Sequence, residues 1–111
     1  MLKSKEKLNL INNYIEIYKC IFDCKQSILK EENNAEKLAS LTQLFDELIT
    51  LKKLYEEIFV KQKLMDTSLI LLKQELEETL QQSTLSTRKN ASIENIILTK
   101  NRLKETINRL N

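Results

Sequence analysis

The chain has 111 residues, room for one domain, and contains neither glycine nor proline. Globular chains normally carry about 12% of these two residues, because positive-φ turns and rigid corners depend on them. Sandwiches, barrels and nucleotide folds with Gly-rich turns are therefore excluded, while long helices joined by Asn, Ser and Thr remain easy to build. Eighteen basic against sixteen acidic side chains give a formal charge of +2, too small to point to nucleic acid.

The first periodic segment covers about residues 2–30. Leu8, Ile11, Ile15, Tyr18 and Phe22 form one row at spacings of three and four, with Tyr14, Ile17, Ile21, Cys24 and Ile28 beside it. Two adjacent rows make a broad apolar face that needs more than one neighbouring helix. A break follows over residues 30–35, where Asn33 or Asn34 can cap the next helix and Glu36 stands three after Asn33 in capping-box fashion. So short a connection makes the two helices antiparallel neighbours.

The second helix is expected over about 35–60, with Leu38, Leu41, Leu44, Phe45, Leu48, Leu51, Leu54, Tyr55 and Ile58 as its stripe and Ile49 and Phe59 widening it. The pattern loosens over 61–68, where Asp66, Thr67 and Ser68 are good helix starters. A third segment, about 68–110, resumes with Leu69, Leu72, Leu76 and Leu80, crosses a polar patch at 81–92, and recovers its spacing at Ile93, Ile96, Ile97, Leu103, Ile107 and Leu110. Serine and threonine lower helix propensity by only tenths of a kcal/mol each, so a continuous or bent helix is favoured over a split one. The expected fold is thus all-α: a single domain over 1–111, an elongated antiparallel bundle of three long helices, the last bent or split near 81–92.

The basic residues gather towards the end, where Arg88, Lys89, Lys100, Arg102, Lys104 and Arg109 outnumber Glu94 and Glu105. No aromatic side chain lies among them to stack bases, so a solvated face is expected and nucleic acid is not. The longest apolar run, Leu69–Leu72, falls far short of the roughly 20 residues of a spanning helix, and no signal-peptide core follows the first lysines. A cytoplasmic protein without membrane insertion is expected. Cys20 and Cys24 sit one helical turn apart, where a disulfide would clip nothing together, and read as core thiols of a reducing compartment.

Chemistry is poorly provided for. The chain has no histidine to move protons near neutral pH or to complete a zinc site. Acidic pairs such as Asp46-Glu47 and Glu77-Glu78 diverge by about 100° around a helix. The arginines Arg88, Arg102 and Arg109 all lie late in the chain, unlike the first-helix arginine pattern of chorismate-mutase-like helical enzymes. We expect no catalysis, no cofactor and no bound metal.

Ser27–Leu41 (helix end, acidic and amide reversal, leucine-spaced restart), the run Leu44–Ile58, and Asn90–Leu98 with its continuation to Leu110 together resemble the FlgN-type flagellar export chaperones. The resemblance implies a cytosolic helical protein, a monomer or weak homodimer, that holds hook-associated filament-junction proteins soluble before type III secretion. The physical counterpart is a helix that presents apolar side chains to a client helix. Client contact is expected at Ile93, Ile96, Ile97, Leu103, Ile107 and Leu110, where aspartate at Ile97 or Ile107 should weaken binding and spare helix content. Aspartate at Leu44 or Leu48 should unfold the bundle. The competing reading is a structural coiled-coil subunit of a larger assembly, its stripes used for permanent oligomerisation.

Overall fold

The computed structural model describes residues 4–31, 33–81 and 92–110. Among them are four helices, α1 (Ser4–Lys30), α2 (Ala35–Lys61), α3 (Thr67–Gln81) and α4 (Ile93–Leu110), and no strand. The all-helical expectation holds, but the count is four, not three. The expected third helix is two elements, and the segment 82–91 that joins them lies outside the described residues.

Local chemistry accounts for each boundary. Of the two candidate asparagines, Asn34 caps α2, its side chain accepting from the Lys37 amide at 3.0 Å. Asp66 does the same for α3 through the Leu69 amide at 2.9 Å, and the Ser92 hydroxyl accepts from the Asn95 amide at 3.2 Å to start α4. The end of α2 normally calls for glycine. Here Lys63 takes a left-handed φ of 58°, which lets the Lys63 amide reach the Val60 carbonyl at 3.1 Å and the Leu64 amide reach the Phe59 carbonyl at 2.7 Å. These are the paired bonds of a Schellman motif, and Leu64 and Phe59 both join the core beneath it.

α1 and α2 form a long antiparallel hairpin that is the spine of the molecule. On one side α4 lies in the groove between them. The pairs Lys100–Glu47 and Arg102–Glu16 fix its direction, parallel to α2 and antiparallel to α1. On the other side α3 rests on α1, running from the neighbourhood of Lys7 and Ile11 to Tyr18. α3 and α4 do not approach each other within the described residues. The molecule measures 49 × 28 × 19 Å.

The core is one cluster centred on Tyr14, Ile17, Ile21, Leu48, Tyr55 and Phe59. On α1 the buried stripe is Leu10, Tyr14, Ile17, Ile21 and Cys24. Of the outer row expected from the sequence, Tyr18 is buried, Ile11, Ile15 and Phe22 are half-buried, and Leu8 faces solvent. One polar link crosses the centre. The Asn13 amide donates to the Tyr55 hydroxyl at 3.3 Å, and that hydroxyl donates to the Leu103 carbonyl at 2.8 Å, tying α1, α2 and α4 at a single buried atom.

Two predictions follow from these contacts. Lys63→Gly removes the left-handed strain of a residue with a Cβ and should raise unfolding free energy by about 1 kcal/mol, read from the urea midpoint; a loss of stability would contradict the proposed turn. Tyr55→Phe should cost about 1–3 kcal/mol, since it leaves the Asn13 amide buried without its acceptor. A melting temperature unchanged in Tyr55→Phe would show that the hydroxyl ties nothing.

Candidate functional site

The six residues expected to meet a client do not share one environment. Ile96, Leu103 and Ile107 face inward and are buried in the chain's own core. Ile93 is half-buried and packs against that core. Ile97 is 38% exposed, and the side chain of Leu110 lies outside the described residues. Helix geometry explains the division: positions 96, 103 and 107 repeat at seven and four, whereas Ile97 sits about 100° round from Ile96. As α4 is seated, a partner could reach the three buried side chains only after α4 had left α1 and α2. Aspartate at Ile107 therefore belongs with aspartate at Leu44 or Leu48, as a core-breaking change.

Leu98 was not singled out by periodicity because it lies off the inward stripe. It is 66% exposed, and with Ile97, about 100° away round the helix, it gives α4 two apolar side chains outside the core. The signal that could have found it is an apolar residue about 200° round from the stripe of a strongly amphipathic helix. Next to this pair, Lys100 and Lys104 of α4 face Asp46, Glu47 and Thr50 of α2 across an open groove of about 460 Å³. The Lys100 ammonium bonded to Glu47 holds that carboxyl below the usual carboxylate range. This single, partly exposed ion pair contributes little to stability, at most about 1 kcal/mol.

The opposite side of the hairpin holds a denser polar cluster, between α1, α2 and α3. Glu56 of α2 is its hub. Its carboxylate accepts from the Tyr14 hydroxyl at 2.6 Å and pairs with Lys73 of α3 at 3.3 Å and Lys52 at 4.0 Å. The Tyr18 hydroxyl, 3.5 Å from that of Tyr14, donates to Glu77 of α3 at 3.4 Å, and the Lys52 ammonium lies 5.4 Å from the centre of the Tyr18 ring. The rings of Tyr14 and Phe59 meet edge to face, their centroids 5.1 Å apart. Burial first, then the bond to Glu56, pushes the Tyr14 phenol up. Burial first, with the carboxylates of Glu77 and Glu56 adding to it, pushes Tyr18 up to about 12.

The two thiols are free and buried. Cys24 donates to the Leu41 carbonyl at 3.3 Å. Burial pushes both up to about 11, with the charges of Glu16 and Asp23 adding to the effect at Cys20. A thiol so shifted carries about a hundredth of the thiolate of an ordinary cysteine at the same pH, and is a poor nucleophile. Among the described residues no group of histidine, cysteine or carboxylate side chains is placed to hold a metal ion, and no helix is long and apolar enough to cross a membrane. What the described surface carries is exposed apolar side chains beside ordered charges.

The chain matches no family model, no curated protein and no solved structure.

The raised pKa values set an alkaline limit. A group whose folded pKa lies above its unfolded one adds stability that is complete below the unfolded value and is lost as pH climbs through the folded value. For the thiols that window is about 9 to 11, and for Tyr18 about 10 to 12. The urea midpoint should hold steady from pH 7 to about 8.5 and then fall, and Tyr18→Phe should fall less steeply than the parent above pH 10. Superimposable curves for the two above pH 10 would show that Tyr18 titrates freely in the folded chain.

Proposed function

We propose that this protein is a helical chaperone which holds an amphipathic segment of a client protein against apolar side chains that its own core leaves outside. Following the resemblance of the sequence to the FlgN type, the client is a hook-associated filament-junction protein kept soluble in the cytoplasm before type III export. One observation carries the reading: Ile97 and Leu98 stand exposed on a helix whose inward face is already filled by Ile96, Leu103 and Ile107. A client helix laid along α4 would cover them without disturbing the fold, and the Lys100–Lys104 side of the groove would meet an acidic flank of that helix.

The same packing weighs against a permanent coiled-coil subunit. Such a subunit keeps a long apolar stripe open for its partner. Here the stripes of α1 and α2 close on each other and on α4 within one chain, which fits a monomer or weak dimer.

The test is titration calorimetry of the purified chain against a synthetic peptide from the terminal helix of a junction protein. Ile97→Asp and Leu98→Asp should each weaken binding at least tenfold, about 1.4 kcal/mol, with helical circular dichroism unchanged. Ile107→Asp should instead abolish the cooperative melt, because it buries an unpaired charge. Tight binding indifferent to both surface substitutions would remove the site.

A further inference from the structure

The two helices that flank the spine are held in unlike ways. α4 sends Ile96, Leu103 and Ile107 into the core and receives the Tyr55 hydroxyl at its backbone. On α3, Leu69 is the one buried side chain among those described; Leu72 and Leu76 are half-covered, and Ile70 and Leu71 face solvent. An open cleft of about 380 Å³ runs along the seam, bounded by Lys7 and Ile11 of α1 and by Leu69 and Leu72 of α3. Leu72 and Leu76 pack partly buried against the core, and beside them runs an evenly spaced polar attachment. Lys73 meets Glu56, and Glu77 meets Tyr18, four and eight positions after Leu69. Positions four apart lie on one face of a helix, so these three side chains read as a single recognition row.

The seat beneath α3 is better built than its occupant requires. Tyr14, Tyr18 and Phe59 stack edge to face, and Tyr14 orients the Glu56 carboxylate at 2.6 Å from within α1 and α2 themselves. None of those contacts depends on α3. Removing α3 would uncover an aromatic floor with one fixed carboxylate and one phenol, a surface complementary to a helix that carries an apolar, a basic and an acidic side chain in succession.

We propose that α3 is the built-in occupant of a helix-binding groove formed by α1 and α2, and that a partner's amphipathic helix with an apolar residue, a basic residue four positions on and an acidic residue eight positions on takes its place. This seat is separate from the client contact at Ile97 and Leu98, and its occupation is governed by release of α3. The partner recognised is thus a protein helix that copies the Leu69, Lys73 and Glu77 row.

The experiment uses the full chain and two measurements. In hydrogen exchange at pH 7, the amides of α3 between Ile70 and Glu78 should exchange at least a hundredfold faster than those of Ile17–Cys24, while α4 between Asn101 and Ile107 follows α1. In the second, a fluorescent peptide with the sequence of residues 66–81 is added in trans. It should bind the Leu69→Asp chain, whose own α3 is released, at least tenfold more tightly than the parent chain, whose seat is filled. The peptide carrying Lys73→Glu and Glu77→Lys should bind the Leu69→Asp chain at least tenfold more weakly than the unaltered peptide. The proposal is overturned if the peptide binds parent and variant alike, if the exchanged charges make no difference, or if a folded Leu69→Asp chain does not bind it. Should Leu69→Asp fail to fold, exchange in the unmodified chain decides: α3 amides within tenfold of those of α1 mean that α3 opens only with the whole domain. Loss of client binding in Ile97→Asp with α3 exchange unaltered separates this seat from the one on α4.

Discussion

Three helices meet at one buried hydroxyl, and the register of the bundle depends on it. Apolar stripes tell helices which faces to bury but leave sliding and rotation weakly specified, since leucine packs against leucine at many offsets. A buried donor or acceptor is less tolerant, because leaving it unpaired costs about 1–3 kcal/mol. Tyr55 takes the amide of Asn13 and gives its proton to the carbonyl of Leu103. Any shift of α1 or α4 by a turn along α2 would strand at least one of those groups. The absence of glycine and proline allows long helices, and this bond is one of the few features that says how they should lie.

From that fixed point the molecule grades outward from firm to loose. α1, α2 and α4 share the core and the Tyr55 link, whereas α3 adds one fully buried side chain, Leu69, with Leu72 and Leu76 partly buried against the core and a set of polar contacts around Glu56. Full burial of a leucine is worth about 1.5–3 kcal/mol, and exposed or half-exposed ion pairs add little to that. Helices held by so little open locally at lower cost than the domain unfolds. The proposed exchange of α3 for a partner helix needs such a gradient, because a surface that must accept a partner cannot also be part of the interlocked core.

Much of this was legible in the sequence, and the failures have identifiable causes. The helical period placed α1 and α2 to within a few residues, and Asn34 and Asp66 fulfilled their capping chemistry. The row through Leu8 and Ile15 is the less buried of the two, a ranking that two rows at equal spacing cannot give without knowing where the neighbour lies. Leu10, at the head of the row that is buried, was passed over. Asn13 belongs to neither apolar row, although an amide within an apolar arc is a sign of a buried partner. The sequence leaves the last helix bent or split near 81–92 and favours the unbroken form, whereas α3 and α4 are separate elements for a tertiary reason. α4 must lie on the far side of the hairpin from α3 and run the opposite way, a demand that no local propensity records. Of the several capping residues in the polar patch, Ser92 is the one that starts α4.

The division of the expected client residues follows from the same geometry. A stripe that recurs at three and four is by construction the face most easily covered from within the chain, so periodicity finds core more readily than site. Ile96, Leu103 and Ile107 belong to that face and are covered. Residues available to a partner are the apolar ones that break the period, and on α4 these are Ile97 and Leu98. On α3 the corresponding misfits are Ile70 and Leu71, beside a face on which the charges of Lys73 and Glu77 supplement the apolar contacts of Leu69, Leu72 and Leu76. Under the proposed function, an all-helical chain without glycine has few loops with which to make a site. Its specificity has to be written in such departures from amphipathic order, and in the charges that align them.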